Sequence, residues 1–199
     1  VTGVLGIQGS FSLHLESLRR LGVPARLVKK RSDLDVCERL ILPGGESTVL
    51  SKFLEETGLG AAIRSRAEKG DLALFGTCAG AIVLGREPAR AEGEPPPAGR
   101  QPVRLGLADV EVRRNAYGRQ LDSFRAPLVV AREIAGESGP IEGVFIRAPR
   151  FGRIGERASV LAREGEEPVM VREGRVLLAT FHPELTEDTR IHRYFLERV

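Results

Sequence analysis

Tryptophan is absent from this 199-residue chain, methionine occurs once, and there are only two cysteines, three histidines, four lysines and one asparagine. Two cysteines cannot staple a fold, so stability must come from an apolar core. A chain of about 200 residues can build one, because it buries roughly 70% of the surface that it exposes when unfolded. The cysteines and the three dispersed histidines also lack the paired spacing of metal ligands, so no metal is expected. No Walker loop and no G-x-G-x-x-G occur, which leaves nucleotide binding without a motif. No apolar run approaches the ~18 residues of a membrane helix. Charged and small residues follow the apolar start from Val1 to Ile7, so no secretory leader is expected and a cytoplasmic setting is. Charge of one sign is missing too. The 30 basic and 27 acidic residues leave a net +3, and the signs alternate locally, as in Arg163-Glu164 and Arg172-Glu173. A nucleic-acid binder gathers one sign on a face, so neither nucleic acid nor membrane is an expected partner.

What is present reads as one globular unit over residues 1–199, with 42% hydrophobic and 29% charged residues. The first half alternates short apolar runs with helical spacing. Gly3–Ile7, Ala25–Val28, Arg39–Leu42 and Leu72–Phe75 are expected strands. Phe11, Leu15, Leu18 and Leu21 mark one helix, a second follows a cap at Ser47 or Thr48, and a third starts near Cys78. That alternation predicts an α/β three-layer sandwich with a mostly parallel central sheet flanked by helices. The second half reads as additional strands joined by Gly-rich turns: Ala108–Arg113, Ala126–Glu133, Gly143–Arg147, Ala158–Arg163, Pro168–Glu173 and Arg175–Thr180. A last helix is expected from Thr186.

The strongest chemical signal is Leu72-Ala-Leu-Phe-Gly-Thr-Cys78-Ala-Gly80, an apolar strand running into G-x-C-x-G and a helix. This is a nucleophile elbow with sulfur in place of a hydroxyl. The flanking glycines are expected to allow a sharp turn that lifts Cys78 to the top of the sheet. A helix amino terminus there favours the thiolate, and the Ala79 amide can face an oxyanion. A cysteine nucleophile needs a base. His14 and His192 lie within amphipathic helices, whereas His182 directly follows an apolar strand, with Glu184 two residues on. In extended backbone, positions i and i+2 point the same way, so Glu184 can orient His182 toward the thiol, which makes a Cys-His-acid triad. Pro43-Gly44-Gly45-Glu46-Ser47 offers a second oxyanion donor at Gly45 and polar groups at Glu46 and Ser47 for an amino-acid-like substrate. Gln8-Gly9 is a similar turn beside the same pocket. Cys37 has no such context and reads as a small apolar residue.

G-T-C-A-G with a distant H-P-E resembles the class I (triad) glutamine amidotransferases. Leu5-Gly-Ile-Gln-Gly9, Leu42-Pro-Gly-Gly-Glu-Ser-Thr48, Arg114-Asn-Ala-Tyr-Gly-Arg-Gln120 and Val144-Phe-Ile-Arg-Ala-Pro149 narrow the resemblance to the PdxT/SNO family, the glutaminase subunits of pyridoxal 5′-phosphate synthase. The resemblance implies hydrolysis of L-glutamine to glutamate and ammonia without a cofactor, with Cys78, His182 and Glu184 as triad. It further implies glutamine binding by Gly45, Glu46, Ser47, Arg114, Ile146 and Arg147, with Gln8 supporting the oxyanion hole. It implies a hetero-oligomer with a synthase subunit that consumes the ammonia. Residues 87–102 and Arg113 depart from the family pattern. Three other readings share parts of the evidence: the glutaminase of another amidotransferase, such as imidazole glycerol phosphate synthase, a cysteine peptidase or amidase, and a non-catalytic binding subunit.

Overall fold

The computed structural model describes residues 1–7, 9–89, 99, 101–114, 123–136 and 139–199. The first part runs β1 (Thr2–Leu5), α1 (Phe11–Arg20), β2 (Ala25–Val28), α2 (Arg31–Leu34), β3 (Arg39–Leu42), α3 (Ser47–Glu56), α4 (Leu59–Glu68), β4 (Ala73–Thr77) and α5 (Ala79–Leu84). The second part adds β5 (Val110–Arg113), β6 (Ser123–Val130), α6 (Arg132–Ala135), β7 (Ile141–Ile146), β8 (Arg150–Ile154), β9 (Ser159–Glu164), β10 (Glu167–Glu173) and β11 (Val176–Ala179). A 3-10 turn, Pro183–Leu185, and α7 (Arg190–Arg198) close the chain. Among the described residues, nine strands form one sheet in the order β2-β1-β3-β4-β11-β10-β9-β6-β7, and β5 pairs with β8. β2, β1, β3, β4 and β11 are mutually parallel, and antiparallel pairing takes over from β10 outward.

The central strands are apolar on both faces, and their alternation sorts side chains between two cores. Leu40, Leu42, Leu74 and Leu178 enter one core with α3, α4 and α5. Val4, Ile41, Phe75, Leu177 and Ala179 enter the other with α1 and α7. Period-two geometry requires this division, and a sheet covered on both faces is what a parallel arrangement needs. The three-layer α/β expectation therefore holds. No helix among the described residues is long and apolar enough to cross a membrane.

Several local expectations fail for identifiable reasons. α2, α4 and β8 were not anticipated. Gly58, at φ 69°, breaks one long helical tract into α3 and α4, and β8 buries little besides Phe151 while pairing, among the described residues, with β5 alone. The expected strand at Ala126–Glu133 ends at Val130, and Arg132–Ala135 is helical. Neither Ser47 nor Thr48 caps α3. The Glu46 carboxylate does, accepting from the amides of Thr48 at 3.0 Å and Val49 at 2.8 Å. The last helix begins at Arg190 rather than Thr186, because the backbone first closes a 3-10 turn after Pro183.

Phe195 is fully buried and meets Phe75 with ring centres 5.4 Å apart. Phe195→Ala should cost about 3–5 kcal/mol through lost burial and a residual cavity. A fall in the urea unfolding midpoint at unchanged slope is the expected reading.

Candidate active site

The site follows from strand order. β4 lies between β3 and β11, with Gly76 opposite Leu42 on one side and Thr77 opposite Ala179 on the other. All three strands run the same way, so the segments after them emerge together at the carboxyl end of the sheet. Those segments carry Gly44 and Gly45, Cys78, and His182. Cys78 takes φ 49°, a region that a non-glycine residue enters only when its surroundings enforce it. The glycines on either side work differently from the expectation. Neither Gly76 nor Gly80 has positive φ, and the sharp turn is carried by Cys78 itself. A Cβ on Gly80 would stand 2.0 Å from the Leu42 carbonyl oxygen, and one on Gly76 would meet the Gly80 backbone at 2.6 Å. They are glycine because the helix and strands are pressed together there. Ala79 opens α5, where first-turn amides have no intrahelical acceptor.

His182 is anchored by its own amide, which donates to the Val144 carbonyl at 2.8 Å. Its Nδ1 lies 2.7 Å from Glu184 Oε1. The segment is not extended as expected: Glu184 sits within the 3-10 turn Pro183–Leu185, and the turn's tight winding brings the carboxylate back onto the ring. Ser10 Oγ donates to the same oxygen. Burial works against the imidazolium of His182, but hydrogen bonds with Cys78 and Glu184 and their negative charge outweigh it and push its pKa up to about 10. Burial likewise works against the Glu184 carboxylate, and His14, His182 and Ser10 together bring it down to about 2. A Cβ on Gly44 would lie 2.3 Å from His182 Cε1, so that ring position demands glycine.

A cavity of about 370 Å³ opens over these residues. It gathers Gly45, Glu46, Ser47, Cys78, Arg114, Ile146, Arg147 and His182, eight of the residues singled out from sequence, together with Gly9 and Gly44. Arg114 Nη2 stands 3.4 Å from Glu46 Oε1. The Glu46 carboxylate is thus both helix cap and ion-pair partner, and the Thr48, Val49 and Arg114 contacts hold its pKa low against partial burial. Arg147 also has positive φ, at 41°, just after Ile146, whose carbonyl oxygen lies 3.9 Å from Cys78 Sγ. Glu184 is buried behind His182 rather than lining the cavity. Gln8 lies outside the described residues, as do Asn115–Gln120 and Asp122. A second cavity of about 340 Å³, between α3, α4 and Leu105, has neither cysteine nor histidine among its described lining residues.

Sequence comparison matches residues 4–199 to the SNO glutamine amidotransferase family. The pyridoxal 5′-phosphate synthase subunit PdxT of Thermus thermophilus is 54% identical over 197 residues, covering 99% of this chain and 96% of that one. The PdxT subunit of Deinococcus radiodurans is 50% identical over 194 residues, covering 98% and 94%. The chain belongs to the SNO glutamine amidotransferase family. A crystal structure of a glutamine amidotransferase superposes with a TM-score of 0.86 at 51% identity, over 99% of this chain and 97% of that one. A chain of PurLQS from Thermotoga maritima, with TM-score 0.70 and 18% identity, shares the fold alone.

Two residues of this SNO-family chain that sequence reasoning left in amphipathic helices belong to the site's surroundings. His14 and His192 are fully buried, and His14 Nε2 lies 3.4 Å from Glu184 Oε2. The signal was available: His14 falls three residues after Phe11 and four before Leu18, and His192 three before Phe195, each on the apolar stripe of its helix.

The His182–Glu184 contact makes stability depend on pH in both directions. Glu184, lowered from 4.5 to about 2, contributes stability that is present above pH 4.5 and lost as pH falls toward 2. His182, raised from 6.5 to about 10, contributes stability that is complete below pH 6.5 and lost as pH rises through 10. The melting-temperature advantage of the native chain over Glu184→Gln should therefore be largest between pH 4.5 and 6.5 and shrink toward both extremes.

Proposed function

We propose that this chain hydrolyses L-glutamine to L-glutamate and ammonia, as one glutaminase domain over residues 1–199, with Cys78 as nucleophile. The observation that carries this reading is a cysteine on an elbow that shares one cavity with a buried histidine, which Glu184 holds at 2.7 Å. The Cys78 thiolate attacks the side-chain carboxamide carbon, and the amides of Gly45 and Ala79 receive the oxyanion. His182 Nε2 gives its proton to the departing nitrogen, which leaves as ammonia, and a γ-glutamyl thioester remains on Cys78. His182 then takes a proton from water, the hydroxide attacks the thioester, and glutamate departs as the thiolate is restored. Glu184 keeps Nδ1 occupied, so Nε2 is the nitrogen offered to sulfur and substrate. Arg114 and Glu46 suit the α-carboxylate and α-ammonium of a free amino acid, with Ser47, Ile146 and Arg147 completing the pocket. Gln8 belongs to the oxyanion hole in this reading.

The PdxT relatives are named as synthase subunits, which supports assembly with a pyridoxal 5′-phosphate synthase subunit that consumes the ammonia. Pyridoxal phosphate is then the product of the assembly, and this chain needs no cofactor of its own. A cytoplasmic setting fits two free thiols, Cys37 and Cys78.

Ammonia release from glutamine, measured with and without the synthase subunit, tests the reading. Activity should rise on adding the partner. Cys78→Ala should reduce it by at least roughly 10³-fold with no change in melting temperature, since the nucleophile has no substitute. Unchanged release from that variant would refute the assignment.

A further inference from the structure

Two histidines that the proposed mechanism does not use lie behind the triad, and neither lines the cavity. His14 on α1 and His192 on α7 are both wholly buried, with His14 Nδ1 2.9 Å from His192 Nε2. His14 Nε2 stands 3.3 Å from Thr77 Oγ1, the residue before Cys78, and 3.4 Å from Glu184 Oε2. Glu184 spends its other oxygen on His182 and Ser10. Oε2 has no hydrogen bond of its own, and neither has His192 Nδ1.

The protons can be placed from these contacts. The ionisable groups that face His14 are Glu184 of the 3-10 turn, His182 just before that turn and His192 from α7, while Phe75 of β4 meets both imidazoles edge on. Burial lowers the pKa of His14 against the pull of Glu184, and burial and His14 push that of His192 down to about 3. Both rings are therefore neutral, each with a single N–H. A proton on His192 Nδ1 would be buried without an acceptor, so it sits on Nε2 and is donated to His14 Nδ1. His14 then carries its own proton on Nε2, facing Glu184 and Thr77. The opposite order strands a buried N–H, whereas this order strands only a lone pair.

We propose that His14 is a positioning residue, held by His192 in the tautomer that keeps its proton on Nε2, where it bonds Thr77 Oγ1 and stands 3.4 Å from Oε2 of Glu184. The inference rests on the catalytic role proposed for Cys78, His182 and Glu184. With Oε1 bonded to His182 and Ser10 and the His14 proton facing Oε2, the carboxylate is kept from swinging away from His182 Nδ1, and the ring keeps Nε2 toward sulfur. Without the His14 donor, Glu184 holds the His182 proton less well, and His182 loses it at lower pH.

Nuclear magnetic resonance of the full chain, with histidine labelled by heavy nitrogen, reads the tautomers directly, since there are only three imidazoles. Near neutral pH, His14 and His192 should both be neutral with the proton on Nε2, and His182 doubly protonated. A proton on Nδ1 of His14, or a charged His14, overturns the proposal whatever the activity. In ammonia-release assays with the synthase subunit, His14→Phe should lower kcat roughly ten- to a hundred-fold and move the alkaline limb of the kcat/KM profile to lower pH. His14→Gln keeps a donor at the ε position and should recover most of both. Equal losses in the two variants with an unmoved limb would mean packing alone and would overturn it as well. An inactive native chain would sink the catalytic reading instead, and the tautomers would still decide the role of His14.

Discussion

β4 and β11 come from opposite halves of the chain, yet they lie side by side and parallel, with Ala179 opposite Thr77. Because side chains and chain exits are locked to that register, the residue after β4 and the residues after β11 must emerge within reach of each other. A slip of one residue would turn Leu177 and Leu178 to the wrong cores. The hydrophobic sorting that stabilises the sheet is therefore the same constraint that brings sulfur, imidazole and carboxylate together. Chemistry and stability share one register.

Holding an ion pair in that place has a structural cost that the surroundings meet. Glu184 is almost completely buried, and desolvation alone would favour its neutral form. His182, Ser10 and His14 converge on it from three parts of the chain and reverse that preference. Such a pair is poor evidence for extra stability, since a well-packed apolar replacement can do as well. What it provides is a defined direction for the imidazole. The close approach of Gly44 to the ring and of Gly80 to β3 shows the same economy of space, with glycine wherever a single methyl would displace the machinery.

Much of this was readable from residue order. The parallel half of the sheet was visible in short apolar runs separated by helical spacing. Three loop motifs pointed to Gly9, Gly44 to Ser47 and Cys78 of the cavity lining, whereas Arg114, Ile146 and Arg147 came from the family resemblance alone. What escaped was local competition. The Glu46 side chain outbids Ser47 and Thr48 for the cap because its longer reach takes two amides at once. The 3-10 turn at Pro183–Leu185 replaces extended backbone, yet it brings His182 and Glu184 together just as well. β8 went unseen because only Phe151 of its five residues is buried, so no alternating apolar pattern betrays it.

Residue order by itself determined the elbow around Cys78, the pairing of His182 with Glu184 across one proline, and the two-faced apolar strands, because each depends on neighbours within a few positions. Tertiary structure alone decided that β11 would dock against β4, that Cys78 would bear the turn while its flanking glycines yield space, and that His14 and His192 would meet behind Glu184. Those outcomes depend on which distant surfaces bury one another, and a helical stripe records that a residue faces inward without recording what it will find there.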